Sequence, residues 1–170
     1  MATSIIKTDE IRRLNDQVLM SDGALTSNVV FPAGHPVGET QFFESQTRVY
    51  IAGSDDGIGL SVTPTFSSTS NKFLIIGSIA VNQQNTGGSL KIDIEYNGQV
   101  LATYPQCMLF TTTSTVSTLR IRTQIPIIEY LDVPATGSVQ IDFHGYSIGS
   151  NFEFQDGTQR STIIIQEFKS

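Results

Sequence analysis

From residue 90 to 96 the chain runs Leu90-Lys91-Ile92-Asp93-Ile94-Glu95-Tyr96, apolar at every even position and charged at every odd one. Only a period of two produces this pattern, so the segment is a strand with one buried face and one wet face. Asn97-Gly98 follows directly, the dipeptide that best tolerates the positive φ angles of a type I′ turn, and residues 99–104 return as the partner strand.

The same alternation recurs in residues 139–144, in Phe152-Glu153-Phe154 and in Leu119-Arg120-Ile121-Arg122. Two stretches, Phe73-Leu74-Ile75-Ile76 and Ile163-Ile164-Ile165, are apolar on both faces. A strand of that kind looks into a core on one side and needs cover on the other, which a second subunit supplies most simply. Turn signals separate the runs: Gly53-Ser54-Asp55-Asp56-Gly57, Asn85-Thr86-Gly87-Gly88, Pro134-Ala135-Thr136-Gly137 and Asp156-Gly157. About ten short strands at this spacing predict an all-β chain folded as a jelly-roll β-sandwich. Helical periodicity is scarce. The best candidate, residues 8–14, has acidic residues ahead of basic ones and reads as a short helix or an extended segment.

The N-terminal stretch differs from the rest. Ile5-Ile6, Val18-Leu19-Met20 and Val29-Val30-Phe31 are apolar patches too small to form a core, so they must dock on something. Pro32-Ala33-Gly34-His35-Pro36 breaks any element and divides the chain into an extended N-terminal anchoring arm, 1–36, and a sandwich, 37–170.

Size and charge narrow the classes. At 170 residues the chain can bury a real core without metals or disulfides. Its 39% hydrophobic and 15% charged content, with 14 glycines, suits short strands joined by tight turns. A net charge of −6, with 16 acidic against 10 basic residues, opposes nucleic acid as a partner. There is one cysteine, Cys107, so no intrachain disulfide forms. No apolar run approaches ~18 residues and no signal-like leader opens the chain. The expectation is synthesis in a reducing cytosol without export or membrane insertion.

Several motifs resemble chemistry. Gly145-Tyr146-Ser147-Ile148-Gly149 matches the G-x-S-x-G nucleophile elbow, but a strand rather than a helix follows, and both His35 and His144 precede Ser147. It is read as a hairpin turn. Asp93 and Glu95, or Asp142 and Glu153, could form a glycosidase pair, yet the alternation already explains them as a solvated outer face. Asp55-Asp56 could begin a calcium site but supplies too few oxygens, and reads better as a capped turn. His35, His144 and Cys107 are too scattered for zinc. No phosphate loop or dinucleotide fingerprint is present. The expectation is a protein that is not an enzyme, with no catalytic residues, metal or cofactor.

Five blocks carry a resemblance. Ser4-Ile5-Ile6-Lys7-Thr8-Asp9-Glu10-Ile11 resembles the opening of many small structural proteins of marine and cyanobacterial phages. Val29-Val30-Phe31-Pro32-Ala33-Gly34-His35 is similar to the segment that follows there. Residues 60–64 with 67–75, then residues 130–136, then Arg160-Ser161-Thr162-Ile163-Ile164-Ile165-Gln166-Glu167 match in the same order. Where many relatives carry a basic Asp-Gly hairpin tip, this chain has Tyr96-Asn97-Gly98-Gln99, so no receptor preference is carried over.

The resemblance implies a bacteriophage virion protein of the tail-fibre or appendage type, made in the host cytoplasm. It implies a C-terminal domain shaped like the trimeric jelly rolls of the tumour-necrosis-factor and complement-collagen type. On this reading the arm binds other virion proteins and the sandwich forms a homotrimer. Ile5, Ile6, Val29, Phe31, Ile163 and Ile165 are the candidate trimer-interface residues. Asp55, Asp56, Asn85 and Thr112 are the candidate contacts, in exposed loops, to a host cell-surface receptor or glycan. Two other readings are a protein that decorates the capsid as a head fibre, and a polysaccharide depolymerase.

Overall fold

A computed structural model describes residues 33–52, 56–83, 88–107, 122–149 and 151–170, together with the backbone of 10–12, 18–21, 24–25, 55, 108–110 and 121. Near the N-terminus, β1 (Glu10–Arg12), β2 (Val18–Ser21) and β3 (Ala24–Leu25) pair antiparallel in that order. The segment read as a short helix or an extended stretch is thus extended where it is described.

The remaining strands are β4 (Pro36–Ser45), β5 (Val49–Ile51), β6 (Asp55–Val62), β7 (Thr65–Phe66), β8 (Lys72–Gln83), β9 (Gly88–Tyr96), β10 (Gln99–Phe110), β11 (Ile121–Asp132), β12 (Gly137–Ser138), β13 (Ile141–Ile148), β14 (Phe152–Phe154) and β15 (Ser161–Phe168). Among the described residues none is helical.

All pairings are antiparallel. One sheet has the order β10-β9-β13-β6. In the other, β8 is the hub: β11 runs along one of its sides for the full length, while its other side pairs first with β15 and then with β14. β4 completes the sheet beyond β15, and β5 beyond β14. The first long strand of the sandwich therefore lies beside the last, and the chain crosses between sheets before closing. That connectivity is a jelly roll.

The hub strand changes partner at Ala80. There the Ser161 hydroxyl accepts from the Ala80 N–H (3.0 Å) and the Gln155 N–H donates to the Ala80 carbonyl (3.2 Å), so the junction leaves neither group open.

Period-two alternation explains the core. Leu90, Ile92 and Ile94 point inward from β9, and Ile141 and Phe143 from β13. They meet Phe73, Ile75 and Ile79 of β8, Ile127 of β11, and Phe152 and Phe154 of β14. The hairpin predicted around Asn97-Gly98 is present, with Gln99 opposite Tyr96 and with φ of 50° and 74° at the two turn residues.

Four expectations are corrected by the packing. Ile163 and Ile165, expected at a subunit interface, are 0% exposed inside the sandwich, because the register of β15 against β8 turns them inward and Ile164 outward. Asp55 and Asp56 sit in β6 rather than in a loop, opposite Tyr146 and Gly145, so the turn-like composition there is overridden by strand pairing. The G-x-S-x-G match is the end of β13, and the turn begins only at Gly149 (φ 75°). Asp93, read as solvated, is buried against Lys91 and Thr103. The side chains of Ile5, Ile6, Val29, Phe31, Asn85 and Thr112 lie outside the described residues.

Candidate interaction surface

Several of the groups with catalytic potential are tied into structural contacts. Ser147 is buried on the inward face of β13, within a strand and not at the strand-to-helix turn that a nucleophile elbow requires. Gly145, two residues earlier, faces the opposite sheet. A Cβ there would come within 2.8 Å of both Ile51 and Ile58 and 3.3 Å of Phe154, so the glycine serves the close approach of the sheets.

Asp93 accepts from the Thr103 hydroxyl at 2.7 Å and pairs with Lys91 at 2.5 Å. Glu95 lies 4.0 Å from His144, with Asp142 in register beside it. The Gln140 amide donates to both Asp142 oxygens. Glu153 is buried against Arg48 and accepts from Asn82 at 3.3 Å. Glu44, Asp142 and His144 share the rim of an open cleft of about 560 Å³ with Ser45, Thr47 and Ser61. Cys107 donates to the Leu90 carbonyl at 3.2 Å. Among the described residues no group of three or more His, Cys, Asp or Glu side chains is placed to hold a metal ion.

The two outer faces of the sandwich are unlike. On the four-stranded sheet two successive outward rows carry charge. Val100, Glu95 and Asp142 form one row, and Thr103, Asp93 and His144 the next. On the other sheet one row is apolar from edge to edge. Phe42 on β4 lies opposite Ile164 on β15, Ile164 opposite Ile76 on β8, and Ile76 opposite Ile128 on β11. Their exposures are 60%, 38%, 43% and 66%. Tyr130, 51% exposed, lies beside the β11 end of this row. Adjacent strands are spaced ~4.8 Å apart, so four strands give a continuous apolar stripe of roughly 15 Å.

Each end of the stripe gives way to charges that already have partners. Lys72 pairs with Asp132 at 2.6 Å on one side, and Arg160 with Glu44 at 3.1 Å on the other. The Asp132 carboxylate, by hydrogen bond and by charge, raises the Lys72 ammonium above its usual range.

The β11 edge beside this face is blunted by side chains. Tyr104, reaching across from β10, accepts from the Ile128 N–H at 3.0 Å and donates to the Ile128 carbonyl at 3.2 Å, standing in for a neighbouring strand. Burial pushes its phenol up to about 12, with Glu129 adding to the rise and the Ile128 hydrogen bond opposing it. Pro126, two residues earlier and in the same phase of β11, has no N–H to offer along that edge. From β4 the Gln41 side-chain amide holds the Thr65 backbone of β7 at two points, donating to its carbonyl (3.0 Å) and accepting from its N–H (2.8 Å).

The sequence had flagged two members of the stripe, Ile76 and Ile164, through runs that are apolar on both faces. It gave no reason to join them to Phe42 and Ile128, which come from distant parts of the chain.

No protein-family model matches the sequence, and no curated protein matches it. Solved structures with some likeness include the infectious bursal disease virus VP2 subviral particle, at TM-score 0.45 and 11% identity over 86% of this chain and 41% of that one. Infectious bursal disease virus of the Gx strain gives TM-score 0.44 and 10% identity over 86% and 40%. Dimeric latent PorU from Porphyromonas gingivalis gives 0.39 and 9% over 87% and 15%. This chain spans less than half the length of each, and likeness at this level carries no functional argument.

Proposed function

We propose that this protein is a non-enzymatic structural component of a bacteriophage virion, a homotrimeric tail-fibre or appendage protein that takes part in host attachment. The observation that carries the structural half of this reading is the engagement of Asp93, Glu153 and Ser147. Asp93 is held by Lys91 and Thr103, Glu153 by Arg48 and Asn82, and Ser147 is buried inside a strand. A catalytic carboxylate or serine must meet its substrate, and these face their own scaffold. The phage context comes from the five sequence blocks described above. In this reading the N-terminal arm grips another virion protein and the sandwich projects outward, where its loops meet a receptor or glycan on the cell.

The test is location followed by binding. Antibody labelling of purified particles is expected to mark the tail or its fibres, and labelled protein is expected to bind host cells. Labelling spread over the head moves the protein to capsid decoration and overturns the attachment role. Absence from purified particles overturns the whole reading, and a fall in polysaccharide viscosity on adding the protein overturns its non-enzymatic part.

A further inference from the structure

We infer that the apolar row Phe42–Ile164–Ile76–Ile128, with Tyr130 beside it, is the surface through which copies of this chain bury themselves against one another. The inference rests on the homo-oligomeric part of the proposal above and names the face that part leaves unspecified.

Area favours a second copy. An aromatic side chain presents about 200 Å² and isoleucine a little less, so the open fractions of these five residues leave roughly 500 Å² of apolar surface. The largest apolar patch of an ordinary monomer reaches ~300–600 Å² and is commonly functional. A standard interface takes about 800 Å² from each partner, of which ~56–65% is apolar. The stripe matches the apolar core of one such interface, with polar rows left over for the rim.

Charge points the same way. The protein carries −6 overall, so two copies repel unless they meet where charge is absent or cancelled. The stripe holds no charged residue, and the ion pairs beyond its ends are neutralised within the same copy. A strongly basic or acidic partner would find nothing there to recognise.

Reach argues against cover by the nearest apolar segment upstream in the same copy. Val29-Val30-Phe31 lies three to five residues before Gly34, a span of at most ~17 Å, whereas Phe42 lies eight residues beyond Gly34, roughly 26 Å along an extended strand. The Tyr104 hydroxyl on the Ile128 backbone disfavours strand addition at the β11 edge, which favours contact through the flat face there.

The experiment uses the full chain and follows mass by analytical ultracentrifugation across a dilution series. Ile76→Lys and Ile128→Glu put a charge into the stripe at exposed positions, and Val100→Glu puts one on the opposite sheet. The wild type is expected to associate. Both stripe variants should dissociate at concentrations about 100-fold higher or more, with unchanged circular dichroism, while the Val100 variant behaves as wild type. In parallel, hydroxyl-radical labelling of the wild type should find Phe42 and Tyr130 protected in the associated state and labelled after dilution, a readout independent of any variant's folding. Association undiminished in the stripe variants, or Phe42 and Tyr130 labelled equally in both states, overturns this surface while leaving a homo-oligomer in place. A monomeric wild type at micromolar concentration overturns the oligomer itself.

Discussion

Replacing Glu167 by alanine should release the turn over residues 67–71 from the last strand and lower stability by about 3–5 kcal/mol. The carboxylate is buried near the end of β15. It accepts from the Ser67 N–H (2.9 Å), the Ser67 hydroxyl (2.9 Å), the Ser68 N–H (3.2 Å) and the Asn71 amide (2.7 Å). A hydrogen bond to a charged group contributes ~1.5–3 kcal/mol net, but four do not simply add. Ser67 is exposed, so water replaces what its donors lose. Ser68 is half-buried and its N–H loses its acceptor, while the buried Asn71 amide keeps only the Ser67 hydroxyl at 3.2 Å. Two hydrogen bonds to a charged acceptor, lost where water replaces them poorly, at roughly 1.5–2.5 kcal/mol each give the stated range.

For a chain of this size each kcal/mol moves Tm by ~2–4 °C, so a fall of about 10 °C is expected. The measurement is urea denaturation at fixed protein concentration, since self-association would otherwise shift the midpoint. Amide exchange at Ser68 is the local readout. Glu167→Gln keeps one acceptor oxygen and should fall between the two. A loss below about 1 kcal/mol for the alanine variant, with Ser68 exchange unchanged, would refute the view that this carboxylate fastens the turn.

Three further outcomes are expected. Tyr104→Phe removes both contacts to the Ile128 backbone and should cost about 1–2 kcal/mol near neutrality. Free tyrosine ionises near pH 10 and Tyr104 only at about 12, so wild-type stability should fall as pH rises from 10 to 12 and the variant should lose that part of the fall, compared by denaturation at pH 9 and 11. Gly145→Val forces new atoms against Ile51, Ile58 and Phe154 and should destabilise by roughly 1–3 kcal/mol, with Gly145→Ala milder in the same melting assay. The Thr158 hydroxyl, aided by the Thr158 N–H and Arg122 and opposed by burial, holds the Asp156 carboxyl below its usual range. Its contribution is present above the unfolded value near pH 4 and is lost as pH falls through the folded one. Asp156→Asn should therefore destabilise at pH 7 more than at pH 2, and an equal loss at both counts against the assignment.

Local pattern carried the strands well and their placement poorly. The alternation over residues 90–96 and the Asn97-Gly98 turn act through neighbours a few residues away, so the hairpin was legible. The run Ile163-Ile164-Ile165 was rightly seen to be apolar on both sides. Which side faces inward depends on register against β8, and that reversed the residues expected at an interface. Asp93 sits on the outward side of its strand, as its parity requires, yet Lys91 and Thr103 close over it, and depth of burial leaves no mark in a period-two pattern. Gly145 looked like turn chemistry because glycine favours turns, whereas here its lack of a side chain lets two sheets touch. The stripe itself is assembled from residues 42, 76, 128 and 164, and no window along the chain contains more than one of them.

The hydroxyl of Tyr104 has a consequence for the kind of object this molecule can build. It occupies a place where another polypeptide would otherwise zip on, and a row of such places is how threads and plaques grow without limit. A body that meets its copies through one flat side and is closed along the margin at β11 does not lengthen strand by strand from that margin.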